Sequence, residues 1–474
     1  MKSKTIVISD LHIGSGQLDD CDDEIEDCLV RFLHECSSED LSVELIINGD
    51  FLDFVQAEPW QGADFESEHE GLPLCFTEEQ SKGKFEAIVA SHRPVFTALG
   101  TFLAANADNI LVIMPGNHDV DFFWGAVRAL FIETVGQQDA AVRARIHFKL
   151  EQWYRPRSSP EVLIEHGHQY DPNNRFFIET NEPNSVGNDK VTKPVWSAQS
   201  PPIFRDHAGV SRLYECIGTR FLIQFMNKLD AKYPFVDNVK PFSRFLRIFG
   251  ISAFNPRYKL LTPAASLWQM LRYLVKEGIN SPSSLLSLDR PKENFGPSAL
   301  LESVIDPMTD AEITSFVAKL NGRGFPFDLP PKMFVKDPRR AERLMTFLSE
   351  NTDLAEELEQ VKAPTLGLAP GTLSLGKGFF MDETALLNEA AQNLLNEGVA
   401  NYVIMGHTHE AVVSARYLNT GCWIRYYQFG GTEDMRSWDV LKENSYALFP
   451  YVLRYAEIVP SQAPQAKVFS EKTS

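Results

Sequence analysis

Basic side chains are in short supply: 45 Lys and Arg stand against 64 Asp and Glu, a formal net charge of −19. A dedicated nucleic-acid binder normally presents a basic face that neutralises phosphates, so this balance argues against that class. Cysteine is scarce as well. The six thiols, at positions 21, 28, 36, 75, 216 and 422, form no C-x-x-C pair and no zinc-ribbon spacing. That excludes a thiolate zinc module and is read as buried free thiols in a reducing compartment. No run of about 18 apolar residues occurs, so no transmembrane segment is expected. No apolar signal segment precedes the first strand-like run, Thr5-Ile6-Val7-Ile8, and a cytoplasmic location is expected. Internal repeats and low-complexity tracts are also missing.

What the chain does have is length and five short polar motifs. Its 474 residues suffice for two or three domains with a sizeable core, and the 44% hydrophobic share is ordinary for a folded protein. Apolar runs at Thr5–Ser9, Val43–Asn48, Ile110–Met114, Val162–Glu165 and Tyr402–Met405 read as short strands buried on both faces. Each is followed at once by candidate ligands. The motifs are Asp10-Leu11-His12, Gly49-Asp50-Phe51-Leu52-Asp53, Gly116-Asn117-His118-Asp119, His166-Gly167-His168 and Gly406-His407-Thr408-His409.

Carboxylate, amide oxygen and imidazole without thiolate is the ligand mixture of hard and borderline divalent cations. Taken singly, an Asp-x-His or a Gly-His-x-His is as well explained by a polar turn. Five such pieces at the carboxyl ends of probable core strands are not, because that is where α/β sheets place their sites. The residues describe a metal-dependent hydrolase.

The order D-x-H, G-D-x-x-D, G-N-H-D, H and G-H-x-H resembles the calcineurin-like metallophosphoesterase superfamily over about residues 1–175 and 400–457. The resemblance implies an α/β (α+β) fold, a β-sandwich flanked by helices, with two divalent metal ions. On the matching positions, Asp10, His12 and His409 would hold one metal, Asn117, His166 and His407 the other, and Asp50 would bridge them. A water shared by the two ions, its pKa lowered towards neutrality, would be the nucleophile, so no serine or cysteine is needed. His118 resembles the histidine that assists the leaving group, and Asp53 its orienting partner. His168 is then left as a supporting or substrate-facing residue, and Asp171, Asn173, Asn174 and Arg175 are candidates to line the pocket. Mn, Fe, Zn and Ni suit this ligand set about equally.

Roughly 240 residues separate His168 from His407, too many for a loop, so residues 176–399 are expected to fold as a mostly helical insertion or cap. Its return is expected to be a helix from Thr384 to Glu397, stopped by Gly398. Within it, Pro202–Gly278 reverses the charge of the rest, with twelve Lys or Arg against five Asp or Glu. Phe242, Phe245, Leu246 and Phe249 share a helical face that leaves Arg244 and Arg247 off it. Packing in the insertion's own core explains that pattern, as do peripheral contact with an anionic membrane surface through 202–278 and binding of a polyanion. Ser461–Ser474, polar and charged, reads as a loose tail within a carboxyl-terminal segment 458–474.

Asn419-Thr420-Gly421-Cys422-Trp423 is similar to the Asn-Thr-Gly-Ser-Trp segment of bacterial UDP-2,3-diacylglucosamine pyrophosphohydrolases, which carry a helical lipid-gripping cap. Here Cys422 stands in place of the serine, His118 in place of their arginine, and the insertion is much longer, so their substrate is not carried over. The expected substrate is an anionic phosphoester or pyrophosphate. An SbcD-like DNA-repair nuclease and a non-catalytic scaffold of the same fold are the alternatives, and nucleic acid is a weaker candidate partner. The Arg-Gly that serine/threonine phosphatases place after G-D-x-x-D is Phe54-Val55 here.

Overall fold

The computed structural model describes residues 3–38, 41–57, 76–180, 191–205, 209–214, 310–334, 383–428 and 449–472, with isolated positions in 216–240, in 336–347 and at 446. Two compact units emerge. The first comprises Met1–Pro241, Asp382–Gln428 and Asp439–Ser474, and the second Phe242–Met381 with Phe429–Trp438.

The first unit is a β-sandwich. Strands β1 (Ser3–Ile8), β2 (Ser42–Asn48), β3 (Ile110–Met114) and β4 (Ile146–Phe148) run parallel in one sheet. β16 (Tyr451–Ile458) and β17 (Gln465–Lys472) extend it antiparallel beyond β1, in the order β17-β16-β1-β2-β3-β4. The second sheet has the order β13-β14-β12-β6-β5, from Val412–Val413, Tyr417–Asn419, Tyr402–Met405, Val162–Glu165 and Trp153–Tyr154. Hairpins β7 (Phe177–Thr180)–β8 (Val191–Pro194) and β9 (Ile203–Arg205)–β10 (Ser211–Leu213), and the pair β11 (Val239–Lys240) with β15 (Tyr427–Gln428), complete the strands.

The period-2 geometry of a strand explains why these runs are apolar throughout. Val7, Ile46 and Val112 point one way and pack with Ile164, Ile404 and Leu418 of the other sheet. Their neighbours Ile6, Ile8, Leu45, Ile47, Leu111 and Ile113 point the other way, into a layer of helices. That layer holds α1 (Asp23–Ser37), α2 (Glu78–Ser91), α3 (Arg93–Ala105), α4 (Gly125–Gly136) and the short α5 (Ala140–Arg143). Asp22 caps α1 by accepting the Ile25 N–H, and Ile25, Cys28, Leu29, Phe32, Leu33 and Cys36 recur at helical spacing to form its buried stripe. Thr77 and Gln80 form a reciprocal capping box on α2.

Two expectations change. Ser461–Ser474 is not a loose tail: β17 pairs with β16 over Gln465–Lys472, and Phe469 lies 5.2 Å from the Phe32 ring and 6.0 Å from Trp423. Its charged residues misled because an edge strand carries them on its solvent side, where they discourage pairing with another chain. The insertion expected over 176–399 also differs at both ends. Residues up to 241 belong with the sandwich, and so does the return helix, here α8 (Glu383–Asn396). Its Leu387, Ala390, Ala391 and Leu395 pack on Leu163, Val403, Met405 and Tyr417, covering the outer face of the second sheet.

In the second unit the described elements are α6 (Asp310–Gly322) and α7 (Pro331–Phe334), beside a cluster of Phe325, Phe327, Phe334 and Phe347. The amphipathic stretch around Phe242–Phe249, with Arg244 and Arg247, lies outside the described residues. No helix among the described residues is long and apolar enough to cross a membrane.

Candidate metal centre

The parallel alignment of β1, β2 and β3 brings three of the motifs side by side, and β6 beside β12 brings the other two. Main-chain bonds then fix their relative height. The N–H groups of Leu11 and His12 both donate to the Asp50 carbonyl, at 2.8 and 3.0 Å, and Ile13 N–H donates to Phe51 O at 3.0 Å. Across the two sheets, His407 N–H donates to the Asp10 carboxylate at 2.9 Å, and Trp423 N–H donates to the Asp10 carbonyl at 2.9 Å.

The backbone here is unusual. Seven non-glycine residues among those described have positive φ, and five of them are Asp10, His12, Asp50, His407 and His409, with φ between 44° and 72°. Left-handed backbone costs an L-residue of order 1–2 kcal/mol, and such strain gathers where a side chain must be aimed. Gly49, at φ 81°, faces a related constraint, since a Cβ there would strike the His166 ring. At Gly116 a Cβ would run into Asp50.

The structure brings all nine candidate residues to these adjoining strand ends. Ligating atoms of Asp10, His12 and His409 lie within 4.8 Å of one another, as do those of Asp50, His166 and His407, and those of His12, Asp50 and His118. His166 Nε2 is 3.1 Å from Asp50 Oδ2, and His409 Nε2 is 3.5 Å from Asp10 Oδ1. Asn117 is held in the same place by its neighbours, for the His118 N–H donates to Asp50 Oδ1 at 2.9 Å. The side chains of Asp10, His12, Asp50, Asp53, Asn117, His166 and His409 are buried, whereas His118 keeps 14% of its side chain exposed and is the most open of the histidines with a partner here.

Several hydrogen bonds set ring tautomers. His166 Nδ1–H donates to the Asn48 carbonyl at 2.9 Å, which fixes the ring with Nε2 towards Asp50. His12 Nδ1 and His118 Nδ1 both bond Asp53 Oδ2, at 3.1 and 2.9 Å. Burial opposes the charge on Asp53, but His118 and His12 hold its carboxyl well below the usual range. Burial likewise works against Asp50, and His166, His118 and His12 together hold it ionised. Burial, joined by the charge of Asp50, pushes Asp10 up.

The donor set fits divalent cations. His12 Nε2 and His409 Nε2 converge to 2.9 Å, two imidazole nitrogens aimed at one region. Asn117 Oδ1 and His407 Nδ1 are buried with no hydrogen-bond partner, an arrangement costly for ordinary polar groups and natural for metal ligands.

Two contributors were given no role from the sequence, and a third only a general one. Asp119, the last letter of G-N-H-D, accepts the N–H groups of Phe51 and Gly116 and so ties the second motif to the third. Burial and the nearby Asp50 push its carboxyl up to about 7. The Asn48 carbonyl is a main-chain group that no pattern of side chains reveals. Asp171, suggested only as pocket lining, lies 3.2 Å from His407 Nε2. His168 is fully buried, its ring 4.2 Å from that of Trp196 in an edge contact, and burial keeps it neutral.

A helix-flanked β-sandwich whose parallel strands end in buried carboxylates and imidazoles defines a metal-dependent hydrolase. The sequence model of the calcineurin-like phosphoesterase family matches residues 3–236, and that region is a domain of that family. It is a metal-dependent phosphoric ester hydrolase. The match stops before His407 and His409, which reach the site because β12 pairs with β6. No curated protein matches the chain.

Proposed function

We propose that the chain hydrolyses a phosphoester or pyrophosphate bond with two divalent cations. Asp10, His12 and His409 would hold one, Asn117, His166 and His407 would hold the other, and Asp50 would serve both. The observation that carries this reading is the pairing of converging imidazoles with buried, unbonded donors at Asn117 and His407 on the two sides of Asp50. Two such ions would acidify a water between them and draw charge from the phosphoryl oxygens. Mn, Fe, Zn and Ni all suit the nitrogen and oxygen donors.

The chain's own groups do the rest. Asp53 accepts from His118 Nδ1–H and so commits that nitrogen, which leaves the other ring nitrogen as the one to protonate the leaving oxygen. Burial of the ligands excludes bulk water and strengthens each charge interaction. The insertion is proposed to set substrate choice, with the charges of Arg244 and Arg247 favouring an anionic substrate or an anionic membrane surface at the cytoplasmic side. An SbcD-like nuclease is the second reading, favoured by the basic composition of 202–278.

The deciding experiment is a metal-reconstituted screen of phosphomonoesters, phosphodiesters, nucleoside diphosphate sugars and single-stranded DNA. Turnover of a nucleotide sugar or small ester supports the leading reading, and turnover of DNA alone supports the second. No turnover with any metal would sink both. Arg244→Glu with Arg247→Glu should raise KM for the preferred substrate while sparing a small chromogenic ester.

A further inference from the structure

Downstream of His168, the short loop Asp171–Asn174 makes contacts with two different strand ends. Asp171 is buried, and its Oδ2 lies 3.2 Å from His407 Nε2 and 2.5 Å from Asn174 Nδ2. Its Oδ1 accepts the Asn173 N–H at 2.8 Å, which locks the carboxylate in the turn. Asn174 Oδ1 in turn accepts from Asn117 Nδ2 at 3.5 Å.

The chemistry of these groups allows one orientation at each step. A carboxylate only accepts, so His407 must present Nε2–H and Asn174 must present its NH₂. With its nitrogen committed, Asn174 turns its oxygen to Asn117, and that oxygen takes the Asn117 amide nitrogen. Asn117 is left with Oδ1, and His407 with the lone pair of Nδ1. Both of these atoms are buried without a hydrogen-bond partner. One acceptor therefore decides which atom is offered to a cation by two residues nearly 300 positions apart, Asn117 and His407.

We propose that Asp171 and Asn174 are positioning residues for one ion only, the one held by Asn117, His166 and His407. This rests on the two-metal reading above. The ion assigned to Asp10, His12 and His409 has its own orienting partner in Asp53, which holds His12, and does not depend on the loop.

The test is calorimetric titration of the metal-stripped full chain with Mn²⁺, with thermal melting as the check on folding. Wild type should take up two ions. Asp171→Ala should weaken one of them by about 10–100-fold, the usual effect of losing an outer-sphere partner, and leave the other within about twofold. Asn174→Ala should weaken the same ion by less, and the double variant should match Asp171→Ala alone, because Asn174 acts through the carboxylate. If Asp171→Ala melts too low to titrate, the isosteric Asp171→Asn decides, with a selective loss expected for the same ion. Two ions of unchanged affinity in these variants, or equal weakening of both, overturns the positioning role while leaving the two-metal reading intact. Fewer than two ions in wild type sinks that reading and the proposal with it.

Discussion

His118 Nδ1 lies 2.9 Å from Asp53 Oδ2, and the same oxygen receives His12 Nδ1 at 3.1 Å. One carboxylate thus serves a proposed proton donor and a proposed ligand at once, and the two substitutions should separate these duties. His118→Asn should lower turnover by about 10²–10⁴-fold with both ions retained, and substrates with good leaving groups should suffer less. Asp53→Ala should lose at least as much activity and also weaken the ion held by His12. Rates on esters of graded leaving-group acidity, with metal content measured in parallel, check both. Equal loss across the ester series would argue against proton donation by His118.

Asp50 stands between the two groups of ligands, 3.1 Å from His166 Nε2 and 3.8 Å from His12 Nε2. Asp50→Asn should therefore abolish turnover and reduce uptake of both ions together. Elemental analysis of the purified variant provides the check, and two ions with normal activity would overturn the bridging assignment.

How much of this was legible beforehand depends on where the information resides. The strands at Ile110–Met114, Val162–Glu165 and Tyr402–Met405 coincide with the apolar runs, because burial on both faces leaves no polar position to blur the ends. The candidate ligands could be picked out because chemistry restricts such donors to a few residue types at strand ends, and the structure places them side by side. β17 was not, since an edge strand with one wet face has the composition of a tail. Two of the outer partners were not either, although Asp53 was. Asn48 acts through its carbonyl, and Asp171 reaches His407 across 236 residues, a contact that only the fold creates.

The left-handed backbone at the ligands yields a stability test. His409 sits at φ 60°, a region in which a Cβ is penalised and glycine is not. His409→Gly should therefore be more stable than His409→Ala by about 1 kcal/mol, a reversal of the usual order. Chemical denaturation of the two metal-free variants decides. An alanine variant of equal or greater stability would show that the strain is relieved elsewhere.

Away from the metal centre, His92 joins α2 and α3 to two acids: its Nδ1 lies 2.7 Å from Glu26 on α1, and its Nε2 lies 2.6 Å from Asp19. Burial alone would lower its pKa, but Asp19 and Glu26 raise it above the ordinary 6.5. A raised folded value means that the stabilisation is fully present below pH 6.5 and is lost as pH rises through that higher value. Above it, a neutral ring can donate to only one of the two carboxylates. The stability difference between wild type and His92→Gln should be about 1–3 kcal/mol at pH 6 and should shrink by pH 9. A difference that does not vary with pH would remove the imidazolium from the account.

The carboxyl-terminal strand links the sheet edge to the site through a short chain of contacts. Phe469 on β17 packs against Phe32 of α1 and stacks on Trp423 with an interplanar angle of 18°. The Trp423 N–H then donates to the Asp10 carbonyl at 2.9 Å, and its indole nitrogen donates to Arg454 O on β16 at 2.7 Å. Lys472 adds an ion pair to Glu24 at 2.8 Å, which is exposed and contributes little. Phe469 is half-buried, so Phe469→Ala should cost about 1–3 kcal/mol of unfolding free energy. Deleting residues 461–474 should cost more, because β16 then loses its whole partner strand. Since Trp423 would lose its stacking partner, the deletion should also weaken the ion assigned to Asp10, His12 and His409 more than the other. Full stability and unchanged Mn²⁺ affinities in the truncated chain would mean that β17 is dispensable, and that Trp423 is held in place by Phe32 and Arg454 alone.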